Sequence, residues 1–594
     1  MDKRGRTHRS KKSLSKRQKA DDDSSYEDPS YVSDSKASKK STFPKTVAVW
    51  PRHPGAPQSD IAICEEDDIL KGLDIDGGYV KVDENLIRRL KNSEVPPVEP
   101  IIKSNPFENF PDFAEILRDG TPLTMNLIEK YSKKCNRNYD GMKMGDLLGN
   151  YPIEFLAMKY SEMKSENWDY NIKVSNPPKI SNQEAAGLCW LHAATNVLRY
   201  DIMKKFQVDH RFELSQSYLF FYDKVERSNL FLENLWQSRH KDIRDFKVHL
   251  MADPDSHGII SDGGMYSFFS NLANKYGIVP KNVYGGSLNC RSSQTMNDMI
   301  MRILLRMMLP LFREGRDWSR KQFETYKDKC MSTIYDVVVR FLGEPPKPTD
   351  TFDWTYKDVH GETHTIKNLT PEKFYRIIVP HDDTKITIIH DPRHPETEYI
   401  SSWVEYGLNM HGQMPTSMIN LPLKSFKKVI TESLKNDEAV WFACDIHNGF
   451  DVENKTWDTK RFDYERILGT PIEFDKADML DTLASRAVHA MAIGGVDTVE
   501  DANGETVEYK KWRIFNSWSS ASNDEDEMDS GFYRMSDEYF DRYVTVAVVD
   551  LKYFEPEEAK LILKNAQEGK NFTYKFTDAF GAVARSCSHC KFHK

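Results

Sequence analysis

One cysteine stands apart for its setting. Cys189 follows Asn182-Gln183-Glu184-Ala185-Ala186-Gly187-Leu188 and opens a run in which Leu191, Ala194, Val197, Leu198 and Ile202 recur at helical spacing. A sulfur at the start of a helix lies beside unpaired backbone N–H groups and the positive end of the helix dipole, and both favour thiolate over thiol. Without that help a thiol titrating near ~8.5 is only slightly ionised at neutral pH. A lone cysteine is otherwise a small buried hydrophobe, so its neighbours must decide.

Acyl transfer by a thiolate needs a base that can later protonate the leaving amine, and histidine titrates in the right range. Among 17 histidines, His489 sits in the apolar run Ala487-Val488-His489-Ala490-Met491-Ala492-Ile493. A polar ring there must find a partner or destabilise the fold. It is either a satisfied core histidine or a base aimed by Asn516, which ends the run Trp512-Arg513-Ile514-Phe515-Asn516. The Asn516 amide oxygen can accept from one ring nitrogen and direct the other at sulfur. Gln183, six residues before Cys189, can donate to a developing oxyanion beside the Cys189 N–H, and losing such a donor typically raises a barrier by about 3–4 kcal/mol. Trp518 would cover the Asn516–His489 hydrogen bond, and Trp190 follows the cysteine in a supporting position. Each residue is weak evidence alone. Their order, Gln then Cys-Trp then His then Asn-Ser-Trp, is not.

Two scaffolds must hold these groups. The first half reads as helical: Ser215 to about Val225, Tyr266 to Tyr276, and a Met-rich helix from about Met296 to Leu309 that should stop at Pro310. The second half carries short strand signals at 439–444, 487–496, 512–516, 531–535 and 543–551. Helices first and strands later predict an α+β protein of two lobes with a cleft between them. Composition agrees with an ordinary globular chain: 594 residues, 39% hydrophobic, 29% charged and a net charge of -9. Eight cysteines in such a length are too sparse for a disulfide framework. With no apolar leader and no bilayer-length apolar run, the expected setting is reducing and intracellular, away from membranes. No HExxH, GxSxG or GxxxxGK[ST] motif occurs, and neither metal nor cofactor is expected.

At this point the sequence resembles the papain-like cysteine peptidases, and within them the bleomycin-hydrolase branch, over about Pro177 to Ala584. Further matching stretches are Phe212-Glu-Leu-Ser-Gln-Ser-Tyr, Ser261-Asp-Gly-Gly, Lys275-Tyr-Gly-Ile-Val-Pro-Lys, Ala439-Val-Trp-Phe-Ala-Cys-Asp and Met535-Ser-Asp-Glu-Tyr-Phe. The resemblance implies a papain-like two-lobed fold, a helical lobe carrying the Cys and a β-barrel-like lobe carrying the His and Asn, with large helical insertions. It also implies roles: Cys189 nucleophile, His489 acid and base, Asn516 orienter, Gln183 oxyanion donor. The activity implied is a cytoplasmic aminopeptidase acting on peptide substrates, assembled as a homohexamer. A C-terminal arm would end near Ala584, and its carboxylate would anchor the substrate's free amine.

The chain departs from that pattern in places. Leu188 stands where relatives carry a polar or basic residue, His192 replaces an aromatic, and Ser519 replaces a glycine. Ten residues, 585–594, follow Ala584 and include Cys587-x-x-Cys590 and His593. A single CxxC falls short of the four ligands of a structural zinc site. The tail is either trimmed, exposing the anchoring carboxylate, or retained, with exopeptidase control altered or the cleft blocked. The alternatives to an aminopeptidase are an endopeptidase with an uncapped cleft and a catalytically retired scaffold or nucleic-acid-associated protein. The expected divisions are a disordered extension (1–60), a further N-terminal extension without a clear element to about 105 and then a hook-like helical segment (together 61–175), the peptidase domain with its arm (176–584) and the extra tail (585–594). Residues 1–20 are rich in Lys and Arg. They read as a solvated tail with no specific partner, as a nuclear-import signal or as a weak nucleic-acid contact.

Overall fold

The computed structural model describes residues 73–76, 79–82, 123–135, 139–163, 167–243, 258–379, 384–413, 415–519, 530–575 and 577–582. Residues 1–60, Ala584 and the 585–594 tail lie outside them. The chain divides into two compact units, Met1–Pro122 and Leu123–Lys594. In the first, Leu73–Asp76 pairs antiparallel with Tyr79–Val82. The sequence reading found no element there, although Gly77-Gly78 between two alternating tetrapeptides is a two-residue hairpin signal.

In the second unit, helix α1 (Cys189–Phe206) is buried on nearly every side, from Cys189 through Tyr200 and on to Ile202 and Met203. An amphipathic helix was expected, but Thr195, Asn196 and Arg199 are also enclosed. They are tolerated because each is partnered: Thr195 Oγ1 donates to Leu191 O at 2.8 Å, and Arg199 donates to Asn196 Oδ1 at 3.0 Å and His210 O at 3.2 Å. Around α1 stand α2 (Gln216–Gln237), α3 (Tyr266–Tyr276), α4 (Gln294–Arg313) and α5 (Arg320–Leu342). Ser215 caps α2 by accepting from Tyr218 N. A Ser319–Gln322 capping box starts α5.

The stop predicted at Pro310 does not occur, since α4 runs on to Arg313. Proline removes one N–H near the helix end, and burial of Leu311 and Phe312 outweighs that single missing bond.

Twelve strands among the described residues form one sheet. Its middle is β1 (Val440–Cys444), β2 (His489–Glu500), β3 (Thr506–Phe515), β4 (Phe532–Ser536) and β5 (Val544–Asp550), all paired antiparallel in the order β4-β3-β2-β1-β5. Four of these strands lie within a few residues of their expected places, while β3 begins six residues earlier than expected, at Thr506 rather than Trp512. Beyond β5 come Lys385–Ile389, Ser417–Asn420, Ser401–Val404 and Asn571–Tyr574. Ile172–Lys173 adds to β2, so residues before the predicted boundary at 176 pair directly with the sheet. One hydrophobic core runs continuously from α1 to α5 into the sheet. Among the described residues no helix is long and apolar enough to cross a membrane.

Candidate active site

The site forms where α1 meets β1 and β2. Cys189 is the first residue of α1, so its sulfur lies at the turn whose N–H groups lack intrahelical partners. The first turn is fastened to β1 by the Trp441 indole, which donates to Trp190 O at 3.2 Å. Trp190 is fully buried, packs edge-on against Phe268, and donates its own indole N–H to Asp262 O at 2.7 Å.

His489 is the first residue of β2, opposite Cys444 of β1. Asn516 follows the last residue of β3, and its backbone N–H donates to Gly531 O at 2.8 Å. The His489 ring meets the Asn516 amide through Nε2 and Oδ1 at 2.9 Å, in a buried setting. With Oδ1 as acceptor the proton sits on Nε2, which leaves Nδ1 as the ring's other reactive atom. Trp518 lies against the imidazole, centroids 4.6 Å apart and planes 25° apart. Trp457, Phe450 and Tyr533 back Trp518 in turn, which keeps water from the His489–Asn516 bond.

Gln183 is buried and crosslinks the two halves of the site. Its backbone N–H donates to Ser517 O at 3.0 Å, its Oε1 accepts from the Ser517 hydroxyl, and its Nε2 donates to Ala186 O at 2.8 Å. The Ser517 contact fixes which way the amide faces, with nitrogen toward the cysteine loop. In the sequence Ser517 is only the middle of Asn-Ser-Trp, and the one signal it offers there is a hydroxyl adjacent to Asn516.

The three departures are accommodated. Leu188 is buried beside Cys189. Ser519 accepts from Asn182 Nδ2 through its carbonyl at 2.8 Å. His192 is buried with Nδ1 2.8 Å from Ser181 Oγ, and Ser181 donates to Asn196 Oδ1 at 3.2 Å. Since the serine's single proton goes to Asn196, His192 Nδ1 carries the other. Burial, with Lys281 and Arg199 adding to it, lowers the His192 pKa to about 3. An unfolded chain takes up that proton near 6.5 and the folded one does not, so stability falls as pH drops below 6.5. Urea unfolding at pH 6.5 and 4.5 should show His192→Phe losing about 2 kcal/mol less than the parent over that interval.

Cys444 is a second buried thiol beside the site, and burial pushes it well above the usual thiol value, with Asp445 and Cys189 adding to the effect. It stays protonated at neutral pH and makes a poor nucleophile. No disulfide links the described cysteines. Asp358, Glu362 and His364 bring metal-type donors together on a hairpin turn away from the site. There Asp358 already accepts from His360 N, Glu362 N and the His364 ring, as a polar turn does.

Gly531 shapes the site by what it lacks. Its φ is +92°, and a Cβ would fall 2.7 Å from Ile180 Cβ and 3.1 Å from Asn516 O. Gly531→Ala should lower stability by about 2–4 kcal/mol and displace Asn516. A thermal unfolding scan checks this, and an unchanged Tm would mean the loop yields freely.

Known proteins share this arrangement of helix and sheet. The model of the Peptidase C1-like family matches residues 122–572. Aminopeptidase C of Lactobacillus delbrueckii subsp. lactis is 36% identical over 412 residues, 68% of this chain and 86% of the relative. Bleomycin hydrolase of Rattus norvegicus is 34% identical over 416 residues, 68% of this chain and 86% of its own length. Among solved structures, PepW from Lactobacillus rhamnosis superposes with a TM-score of 0.70 at 28% identity, covering 78% of this chain and 99% of that one.

Proposed function

Because the chain belongs to the Peptidase C1-like family, we propose that it is an aminopeptidase of bleomycin-hydrolase type in which Cys189 is the nucleophile, His489 the acid and base, Asn516 the orienter and Gln183 an oxyanion donor. The observation that carries the reading is the buried His489 Nε2–Asn516 Oδ1 bond under Trp518, since it assigns the imidazole tautomer a thiol peptidase needs.

In the forward step His489 Nδ1 takes the Cys189 proton and the thiolate adds to the scissile carbonyl. The oxygen gains the charge and is met by the Cys189 N–H and the Gln183 amide. The imidazolium then gives its proton to the departing amine as the C–N bond breaks, leaving a thioester. Water, deprotonated by the same imidazole, adds to the thioester and releases the acid and the thiol. Trp190 and Trp518 support by packing.

Restriction to free N-termini is part of the same reading, with trimming near Ala584 exposing the carboxylate that anchors the substrate's free amine. A cytoplasmic homohexamer acting on peptides belongs to it too, as does a weak contact of residues 1–20 with nucleic acid and a nuclear address. Such a contact would be lost steeply with salt.

The test is turnover of an aminoacyl fluorogenic amide against its N-acetylated twin, with intact mass recorded before and after. Cleavage of the free amine alone, with mass loss near Ala584, is the expected result. Equal cleavage of the acetylated twin would remove the exopeptidase claim and leave an endopeptidase. Light scattering on the same sample reads the assembly.

A further inference from the structure

Cys189 is gripped on both sides by one residue of another loop. The Gly187 N–H, two residues before it, donates to Asp262 Oδ2 at 3.2 Å, and the Trp190 indole, one residue after it, donates to Asp262 O at 2.7 Å. The Asp262 carboxylate is itself heavily fastened. Lys224 Nζ donates to Oδ1 at 2.8 Å, Asn297 Nδ2 to the same oxygen at 2.7 Å, and the Ser293 hydroxyl to Oδ2. Burial alone would raise this carboxyl, but Lys224, Ser293 and Asn297 override burial and hold it at about 2.

The loop around Asp262 is held from α2. Lys224, whose side chain is wholly enclosed, also donates to Ile260 O at 2.7 Å and Ser261 O at 3.2 Å. Arg227, one turn on and paired with Asp223 at 2.7 Å, donates to Gly263 O at 2.6 Å. Gly264 completes the fit, because a Cβ there would fall 2.6 Å from the Trp190 ring. Two cations of α2 therefore fix one loop, and that loop fixes the backbone on either side of the thiol.

We propose that Asp262 is a positioning residue for the reaction, holding Gly187 so that Cys189 presents its sulfur and its backbone N–H in one geometry. The inference rests on Cys189 being the nucleophile. A buried ion pair by itself is weak evidence for stability, since apolar replacements of similar volume often serve as well. The contact with Gly187 is different, because no apolar side chain can accept that N–H. Sulfur and oxyanion donor must both meet the carbonyl within a fraction of an ångström, and a shift of about 1 Å can cost roughly 10²-fold in rate.

The experiment compares two neutral pairs in the full chain, Asp262→Ala/Lys224→Met and Asp262→Asn/Lys224→Met. Asp262→Ala alone would strand the Lys224 ammonium and confuse unfolding with function. Both double variants remove that stranded charge, and they differ in whether residue 262 can accept from Gly187. The alanine pair should keep a Tm near that of the asparagine pair, with KM within threefold of the parent and kcat roughly 10²-fold lower. The asparagine pair should keep kcat within tenfold. Equal kcat in the two pairs would overturn the proposal and leave Asp262 a merely structural group. If the parent chain turns over neither substrate, the proposed activity fails, and the grip is still read by hydrogen exchange of residues 183–190. Exchange faster in the alanine pair than in the asparagine pair supports it, and equal exchange overturns it.

Discussion

Cys189→Ala is expected to abolish turnover of an aminoacyl amide, with kcat lowered by roughly 10⁵-fold or more and Tm unchanged within a few degrees. The size of the effect follows from how the remaining groups work. In the proposed mechanism the acyl-enzyme forms only on the thiol, so without it His489 and Asn516 have no first step to assist, and residues that act as a unit lose nearly everything when one is removed. The small structural effect follows from volume, because alanine replaces one sulfur at a helix start already closed by Leu188, Leu191 and Trp190. The measurement is fluorogenic release followed long enough, at high enzyme concentration, to see about a hundred-thousandth of the parent rate. Activity above about one per cent would mean that another nucleophile acts and would overturn the role proposed for Cys189.

Arg393→Ala is expected to cost about 3–5 kcal/mol, the range for removing one partner from a buried ion cluster. Arg393 grips Asp391 with Nε and Nη2, both at 2.9 Å, and Asp578 with Nη1 and Nη2, both at 3.1 Å. Asp391 is enclosed and also accepts from the Tyr574 hydroxyl at 2.9 Å, so the variant leaves a carboxylate in the interior without its cation. Asp578 meanwhile caps the turn of Ala579–Ala582 by accepting from Phe580 N, and Phe580 packs on Tyr574. Losing Arg393 should loosen both ends of this arm. Urea unfolding gives the energy, and hydrogen exchange over 577–582 gives the release. A change below about 1 kcal/mol with unchanged protection would show that the cluster holds nothing. Faster cleavage of the N-acetylated amide by this variant would tie the arm to exopeptidase restriction.

The helix opened by Cys189 and the strands beside His489 and Asn516 are legible because their signals are local. A cysteine beside a Gln six residues earlier, a histidine in an apolar run and an Asn-Ser-Trp stretch all occupy short windows. What stayed hidden is made by distance. Nothing adjacent to Asp262 in the sequence announces that it reaches Gly187, because α2 and α4 bring it there. Ser517 becomes the partner of Gln183 only once β3 has folded against the cysteine loop. The stop at Pro310 was misread because local propensity counts the lost N–H and not the buried Leu311 and Phe312 that keep the helix going. The burial of α1 on all sides was equally invisible, since periodicity marks an apolar face and not the polar partners that let the opposite face be enclosed.

The spacing of the site along the chain also sets its timing. Cys189 begins the helical half and His489 enters 300 residues later, in the middle of the sheet. During synthesis from the N-terminus, a ribosome that has made the whole helical half has made the Cys189 thiol without the base proposed for it. The amide proposed to meet the oxyanion is equally unset, because Ser517, which holds Gln183, emerges later still. Under the proposed mechanism hydrolysis therefore waits for β2 and β3 to join the sheet, and a nascent or broken chain lacking them would carry a cysteine with no means to cut.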